Sequence, residues 1–519
     1  MNSSINVNKK SDITLAIVSG VLLVLGFQPF DLYVLPWVAI VPLLIALRGK
    51  APLPSFLLGL LTGFTWFMGT IYWIFHSVYF YGNVHVVISV LMVAVLCLYL
   101  GSYVGLFSML FNAVTKDSKL PALLVVPLLW VSLEFLRTYL LTGYPWALLA
   151  YSQYKALYLI QIADITGVYG VSFLVAGLNG LIFDLAVNRE SKRRTALGIG
   201  YAFIVAVSLF YGAGRLAEGE GVGREFNVSV IQGNIAQDKK WDAAFQKEVI
   251  NTYKRLTLEA LPEGPDLIVW PETALPFVFD YSKGLTEETL SFQKGLDTRL
   301  LFGSILLDKT KPGGSSFTNS AVLLSQGDVS SVYDKMHLVP FGEYVPLRNL
   351  IPFVKRLTAG SGDFSSGEEA LVMKTPFAKI GTLICYEIIF PGQVRSFVEK
   401  GADVLVTITN DAWFGRTSAP YQHFAMAVFR AIENRVPVIR SANTGISGFI
   451  DSRGRILKQS GIFTEAVVNG KVTAGKSRSI YTEYGDVFAY LCMGGAMLMI
   501  LMNIAYSSPI LEASSSKNF

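Results

Sequence analysis

Charged side chains are unusually few in this sequence. Of its 519 residues 16% are Asp, Glu, Lys or Arg and 52% are hydrophobic, whereas a soluble protein carries about 25% charged residues. The deficit excludes an ordinary soluble globule, and it is uneven. Residues 11–213 are almost free of charge outside short basic clusters, while 214–483 have soluble composition, so the chain divides into two regions and a tail. The net charge of +5 is too small to mark nucleic-acid binding, and its location in short loops explains it better. Cysteine is nearly absent. Cys97 and Cys492 lie in apolar runs, leaving Cys385 as the one thiol of the polar region, which excludes a disulfide within it. The four histidines and three cysteines lack metal-ligand spacing, and no cofactor is expected. Internal repeats are lacking, and low complexity is confined to the Ser-rich C-terminal tip.

Apolar runs are what the sequence has in abundance. A helix needs about 20 apolar residues to cross a bilayer. Eight candidates lie at 12–28, 34–48, 55–79, 86–114, 121–139, 166–187, 196–213 and 485–507, the second of them short. The first lacks a following cleavage site and is not read as a signal peptide. Lys9 and Lys10 precede the first run. Arg48 and Lys50 follow the second, Lys116 and Lys119 the fourth, and Arg189, Lys192, Arg193 and Arg194 the sixth. The intervening loops 29–33, 80–85 and 140–165 hold almost no Lys or Arg. Under the positive-inside rule both termini are cytoplasmic and residues 214–483 lie across the membrane. The expected domains are 1–213 with seven spans, 214–483 outside the membrane, and 484–519 with the eighth span and a cytoplasmic tail. Glu134 and Arg137 fall within the fifth run, where charge is costly, so they are expected to compensate each other. Tyr144, Trp146, Tyr151 and Tyr154 read as an interfacial aromatic belt or as the lipid-side wall of a site.

From residue 225 short β-branched runs alternate with amphipathic stretches. Strands are expected at 227–231, 267–269, 300–304, 320–324, 332–334, 378–384, 404–409, 438–441 and 448–450, and helices at 241–260, 284–298, 392–399 and 421–434. This pattern reads as an α/β or layered αββα domain. Four blocks stand out: Val269-Trp270-Pro271-Glu272; Tyr333-Asp334-Lys335-Met336-His337 running on to Pro340-Phe341-Gly342-Glu343-Tyr344; Gly381-Thr382-Leu383-Ile384-Cys385-Tyr386-Glu387; and Asn410-Asp411-Ala412-Trp413-Phe414-Gly415. Each places polar residues just after an apolar strand, where α/β sheets present their sites. A thiol needs a base to become a good nucleophile. Glu272 has a route to a raised pKa through burial. Lys335, with the backbone N–H after Cys385, can hold an oxyanion. Each residue also has a plainer reading: Cys385 as packing, Glu272 as a helix N-terminal carboxylate, Lys335 as a solvated cation, and His337 as structural.

The four blocks, in this order, resemble the nitrilase or carbon–nitrogen hydrolase superfamily, which implies an αββα sandwich and a Glu-Lys-Cys triad. Gln232-Gly233-Asn234-Ile235, then Trp241, the Lys335-to-Tyr344 block and Cys385-Tyr386-Glu387 resemble the apolipoprotein N-acyltransferase branch, as does the order of seven spans, a domain and a closing span. The resemblance implies Cys385 as nucleophile, Glu272 as general base, Lys335 as oxyanion cation and Glu343 as a second essential carboxylate. Tyr386 and Glu387 match residues that shape the pocket. Trp241, Trp413 and Phe414 match aromatics near the substrate entrance, and Asn319 matches a polar position. It further implies a phospholipid acyl donor, a diacylglyceryl apolipoprotein acceptor, no metal, a monomer, and a bacterial inner membrane with the catalytic domain periplasmic. Two rivals remain at this point: a membrane-anchored amidase, and a non-catalytic scaffold.

Overall fold

The computed structural model describes residues 9–116, 118, 120–187, 191–219, 223–240, 242–308, 316–344, 364–475 and 478–507. The chain separates into two compact units. One comprises Met1–Tyr72, Val87–Gly214 and Asp486–Phe519, the other Trp73–Val86 and Arg215–Gly485.

In the first unit six helices among the described residues are long and apolar enough to cross a membrane: Pro52–Thr70, Val86–Lys116, Ala122–Thr142, Val168–Val187, Lys192–Ala217 and Val487–Ala505. Helix is the natural form for such runs, because in hydrocarbon every backbone polar group must find its partner within the protein. Lys9–Leu25 is apolar but only 17 residues long. The run at 34–48 does not form one helix. It folds as Pro36–Ala39 and Val41–Ala46, since Pro42 has no N–H to continue the ladder. Asn179 serves the joint. Its Oδ1 accepts from the Ile40 N–H at 2.8 Å, and its Nδ2 donates to the Pro36 carbonyl at 3.0 Å. The run at 55–79 also ends early, at Thr70, and Trp73–Val86 belongs to the other unit. A Cβ on Gly180 would lie 2.3 Å from the Ala122 carbonyl oxygen, so glycine is what lets those two helices close on each other.

Glu134 and Arg137 lie in each other's electrostatic field, as expected, but their hydrogen bonds go elsewhere. Glu134 Oε1 accepts from Trp130 Nε1 at 3.0 Å and from the Leu149 N–H at 2.7 Å, while Arg137 Nη1 donates to the Trp146 carbonyl at 3.1 Å. Both charges therefore hold the loop that follows their helix. Trp146 and Tyr151, expected at an interface, are buried inside this unit.

The second unit is built on two mixed sheets. Its strands are β1 (Glu225–Gln232), β2 (Leu267–Val269), β3 (Leu275–Val278), β4 (Arg299–Leu307), β5 (Phe317–Ser325), β6 (Asp328–Asp334), β7 (Val372–Lys374), β8 (Lys379–Ile384), β9 (Val404–Thr409), β10 (Val438–Ala442), β11 (Gly448–Ile450), β12 (Ile456–Gln459) and β13 (Ala466–Thr473). The orders are β13-β1-β2-β4-β5-β6, with β3 also on β4, and β12-β11-β10-β9-β8-β7. Each sheet has a parallel centre, β1-β2-β4 in one and β8-β9-β10 in the other. Every residue of β2 and β9 is buried, as expected for β-branched runs covered on both faces. Ser441 Oγ of β10 donates to the Ile231 carbonyl of β1 at 3.2 Å, joining the sheets.

The longer helices of the unit among the described residues are α1 (Gln246–Ala260), α2 (Lys283–Lys294), α3 (Pro391–Glu399) and α4 (Ala419–Asn434). Tyr253 of α1 stacks on Trp270, with ring centroids 5.2 Å apart, and Trp270 Nε1 donates to Thr257 Oγ1 at 2.9 Å. Buried aromatic pairs of this kind contribute about 0.5–1.5 kcal/mol beyond area burial. Here the pair anchors the strand end two residues before Glu272. The helix expected at 241–260 starts later, at Gln246, because Asp242 Oδ1 accepts from the Ala244 N–H at 2.9 Å and makes a turn first.

Candidate active site

Four strand ends converge on one buried cluster. Glu272 follows β2, Lys335 follows β6, Cys385 follows β8 and Asn410 follows β9. Lys335 is wholly buried. Its Nζ lies 2.9 Å from Glu343 Oε1 and 3.6 Å from Glu272 Oε1. Asn319 joins the two carboxylates, its Nδ2 lying 2.8 Å from Glu272 Oε1 and 2.8 Å from Glu343 Oε1. Asn319 and Lys335 stay together because the Lys335 N–H donates to the Asn319 carbonyl at 2.8 Å. The remaining carboxylate oxygens are held by backbone: Glu272 Oε2 by the Asn410 N–H and Glu343 Oε2 by the Val339 N–H, each at 2.8 Å.

Burial alone pulls the Lys335 ammonium towards neutrality, but Glu343, Glu272 and Cys385 outweigh it and hold its pKa above the ordinary lysine value. The cation is therefore permanent. Cys385 is pushed upward, first by burial and then by the Glu272 carboxylate, with Lys335 opposing. At rest it is a thiol beside a carboxylate and an ammonium, not a preformed thiolate. Its backbone has φ +52°, a left-handed conformation that non-glycine residues adopt at a cost of about 1–3 kcal/mol. The turn starts directly at the end of β8. Glycine is required opposite Glu272, where a Cβ on Gly303 would lie 2.6 Å from the Glu272 Cα.

The other residues singled out in the sequence fall into three groups. Glu387 has no open face. Its Oε1 accepts from Tyr333 Oη at 2.7 Å and from the Met336 N–H at 2.8 Å, and its Oε2 accepts from the Ile384 N–H at 2.8 Å. It ties the loop after Lys335 to the strand before Cys385. Tyr386 sets its ring edge-on to Phe390 at 5.1 Å, and His337 stacks on Phe390 at 3.8 Å. Phe414 packs 4.7 Å from Trp73, while Trp413 is exposed with its ring 5.2 Å from Tyr81. Trp241 lies outside the described residues.

Sequence reading missed Lys240. It is wholly buried, and its Nζ donates to the Glu272 carbonyl at 3.0 Å. Burial lowers its pKa to about 7, against the opposing pull of Glu272 and Cys385. It also missed Asn410 as the group that fixes Glu272. Asn410 Nδ2 donates to Gln237 Oε1 at 2.7 Å, and Asn443 Nδ2 donates to Asn410 Oδ1 at 3.0 Å. The available signal was position, since Lys240 directly precedes Trp241 and Asn410 opens the fourth block.

A buried carboxylate, ammonium and thiol at the ends of strands from two mixed sheets define a nitrilase-like domain, and residues 227–481 match the family model described as carbon-nitrogen hydrolase. Residues 19–181 match a second model, the apolipoprotein N-acyltransferase N-terminal domain. A Geobacter metallireducens protein named apolipoprotein N-acyltransferase is 45% identical over 94% of this chain and 95% of its own length. Proteins of the same name from Pasteurella multocida and Haemophilus influenzae are 33% and 32% identical, covering 94% and 93% of this chain and the same shares of their own lengths. The chain belongs to the apolipoprotein N-acyltransferase family, as its motifs implied.

Proposed function

We propose that this chain transfers a fatty acyl group from a phospholipid to the α-amine of a diacylglyceryl-cysteine at a lipoprotein N-terminus. The observation that carries the reading is the buried Lys335, held at 2.9 Å from Glu343 and 3.6 Å from Glu272 beside the strained turn of Cys385. Glu272 is the base and Glu343 the anchor. Glu343 binds the ammonium at the shorter distance, whereas the field of Glu272 acts on the thiol.

Cys385 Sγ attacks the ester carbonyl while Glu272 takes its proton. Lys335 and the N–H after Cys385 stabilise the oxyanion. The ester C–O bond then breaks, Glu272 returns the proton to the departing lysophospholipid oxygen, and a thioester remains. The acceptor amine attacks that thioester and gives a proton to Glu272. The C–S bond breaks, the thiol is reprotonated, and the amide leaves. Ping-pong kinetics follow. Asn319 sets the spacing of the two carboxylates. Tyr386, Glu387, Trp241, Trp413 and Phe414 shape the substrate path.

The same reading takes the domain as an αββα sandwich and the membrane part as eight spans, with Lys9–Leu25 and the Pro36–Ala46 pair as the shorter ones. It sets the protein as a monomer in a bacterial inner membrane, with the catalytic domain periplasmic and both termini cytoplasmic. The test is the intact mass of purified protein after incubation with phospholipid and no acceptor. An acyl-sized adduct is expected on the wild type and not on Cys385→Ala, discharged by a diacylglyceryl peptide. No adduct, with turnover of a soluble amide, would point to an amidase instead.

A further inference from the structure

A second ionisable cluster meets Cys385 through its backbone. His423 of α4, Asp411 after β9 and Arg440 of β10 are all wholly buried. Arg440 Nη2 lies 2.9 Å from Asp411 Oδ2 and 3.0 Å from His423 Nδ1. His423 Nδ1 is 3.2 Å from Asp411 Oδ1, and His423 Nε2 is 3.2 Å from the Cys385 carbonyl oxygen. Thr409 Oγ1 donates to Asp411 Oδ1 at 2.9 Å and also hydrogen-bonds the Cys385 side chain. Glycine makes room for the carboxylate, since a Cβ on Gly445 would sit 2.0 Å from Asp411 Oδ2.

These contacts fix the state of the imidazole. The Cys385 carbonyl oxygen can only accept, so His423 Nε2, 3.2 Å away, carries a hydrogen. Nδ1 faces both the Arg440 donor and the Asp411 acceptor, and in the neutral ring it accepts from Arg440. Arg440 and Asp411 already cancel in charge, and a third, positive group would be an uncompensated buried cation. Burial and the Arg440 charge both hold the His423 pKa below its ordinary value, with Asp411 opposing. Burial would raise Asp411, yet the Arg440 guanidinium beside it leads in bringing it down to about 2.

Cys385 needs such a support, because its left-handed turn persists only if the surroundings impose it. We infer that His423, oriented by Arg440 and Asp411, is a positioning residue for acyl transfer: its neutral Nε2–H grips the Cys385 carbonyl and so holds the turn that aims the thiol. The inference rests on the reading of Cys385 as nucleophile.

The test compares His423→Leu, which has no donor, with His423→Gln, whose amide can restore one. Thioester formation is followed by intact mass under single turnover with phosphatidylethanolamine vesicles. His423→Leu is expected to lose about 100-fold in the rate constant, the scale of a small misplacement, with half-saturation unchanged. His423→Gln should recover most of it and keep the wild-type pH profile. A second measurement needs no stable variant. In protein carrying 15N-histidine, one of the four imidazoles should stay the neutral Nε2–H form from pH 8 to pH 5. A wild-type rate constant in His423→Leu would overturn the positioning role. So would a pH limb lost in His423→Gln, or four histidines that all titrate near 6.5. A wild type that forms no Cys385 adduct would instead overturn the nucleophile reading.

Discussion

Lys240 illustrates what burial does to one side chain. In the run Gln237-Asp238-Lys239-Lys240 it looks like a solvated cation, yet its Nζ is enclosed and holds the Glu272 carbonyl. Its pKa falls from 10.5 in the unfolded chain to about 7 in the fold. Between those values the unfolded state binds more protons, so stability from this group rises with pH from about 7 to about 10.5 and is lowest below 7. Lys240→Met removes that dependence. Relative to wild type, the variant should gain stability as pH falls from 10 to 7, by on the order of 4 kcal/mol at the limit. It should also lose activity at every pH, because the Glu272 carbonyl loses its donor. Thermal unfolding in detergent across that pH range checks the first point. A constant difference between the two proteins would mean that Lys240 does not titrate as described. Local sequence could not foretell this, since the three residues before Lys240 are polar and the carbonyl it holds belongs to Glu272, 32 positions away.

At the scale of elements, strands were legible where burial is complete. β2, β9 and β11 match their expected bounds because each is a short run buried at every residue. β13 was not legible, because it is defined by its partner β1, paired from Glu225↔Thr473 to Gln232↔Ala466. The overlong run at 55–79 failed for a related reason. Apolarity continues through Trp73–Tyr81, but those side chains pack on the turn after β9. Ser77 Oγ donates to the Trp413 carbonyl at 2.7 Å, Trp73 Nε1 to Gln422 Oε1 at 3.2 Å, and a Cβ on Gly415 would lie 2.5 Å from His76 Nε2. Gly415 also has φ +63°. Gly415→Ala should therefore meet both a backbone and a steric penalty, about 1–2 kcal/mol together, and slow thioester formation through the Asp411 turn. Adding His76→Gly should relieve the steric part and leave the backbone part. Melting temperatures of the two variants separate these contributions, and an unchanged Gly415→Ala would show that this contact does not restrain the turn.

For the molecule as a whole, the most legible feature was the contrast between apolar runs and the β-branched domain, since both membrane and sheet select residues by transfer free energy. The triad candidates and Asn319 were legible as words in the sequence, but Asn410, after β9, reaches Glu272, after β2, only because the two sheets meet, and Lys240 gains its role only where the fold brings it to the Glu272 carbonyl. Orientation across the membrane rests on charge at the ends of the apolar runs: Lys192, Arg193 and Arg194 cluster in the first turn of one long apolar helix, and loops 29–33 and 80–85 carry almost no Lys or Arg. Moving several Lys and Arg through a bilayer is costly enough to fix topology. Arg194, in the first turn of the helix Lys192–Ala217, and Glu287, beyond the C-terminal end of that helix in the sequence, are both exposed, while the native thiols Cys97, Cys385 and Cys492 are all buried. A membrane-impermeant maleimide should label Glu287→Cys in cells whose outer membrane alone has been opened. It should label Arg194→Cys only after lysis. Labelling of both in such cells, or the reverse order, would refute a periplasmic catalytic domain, because one uninterrupted span between the two positions requires them to face opposite compartments.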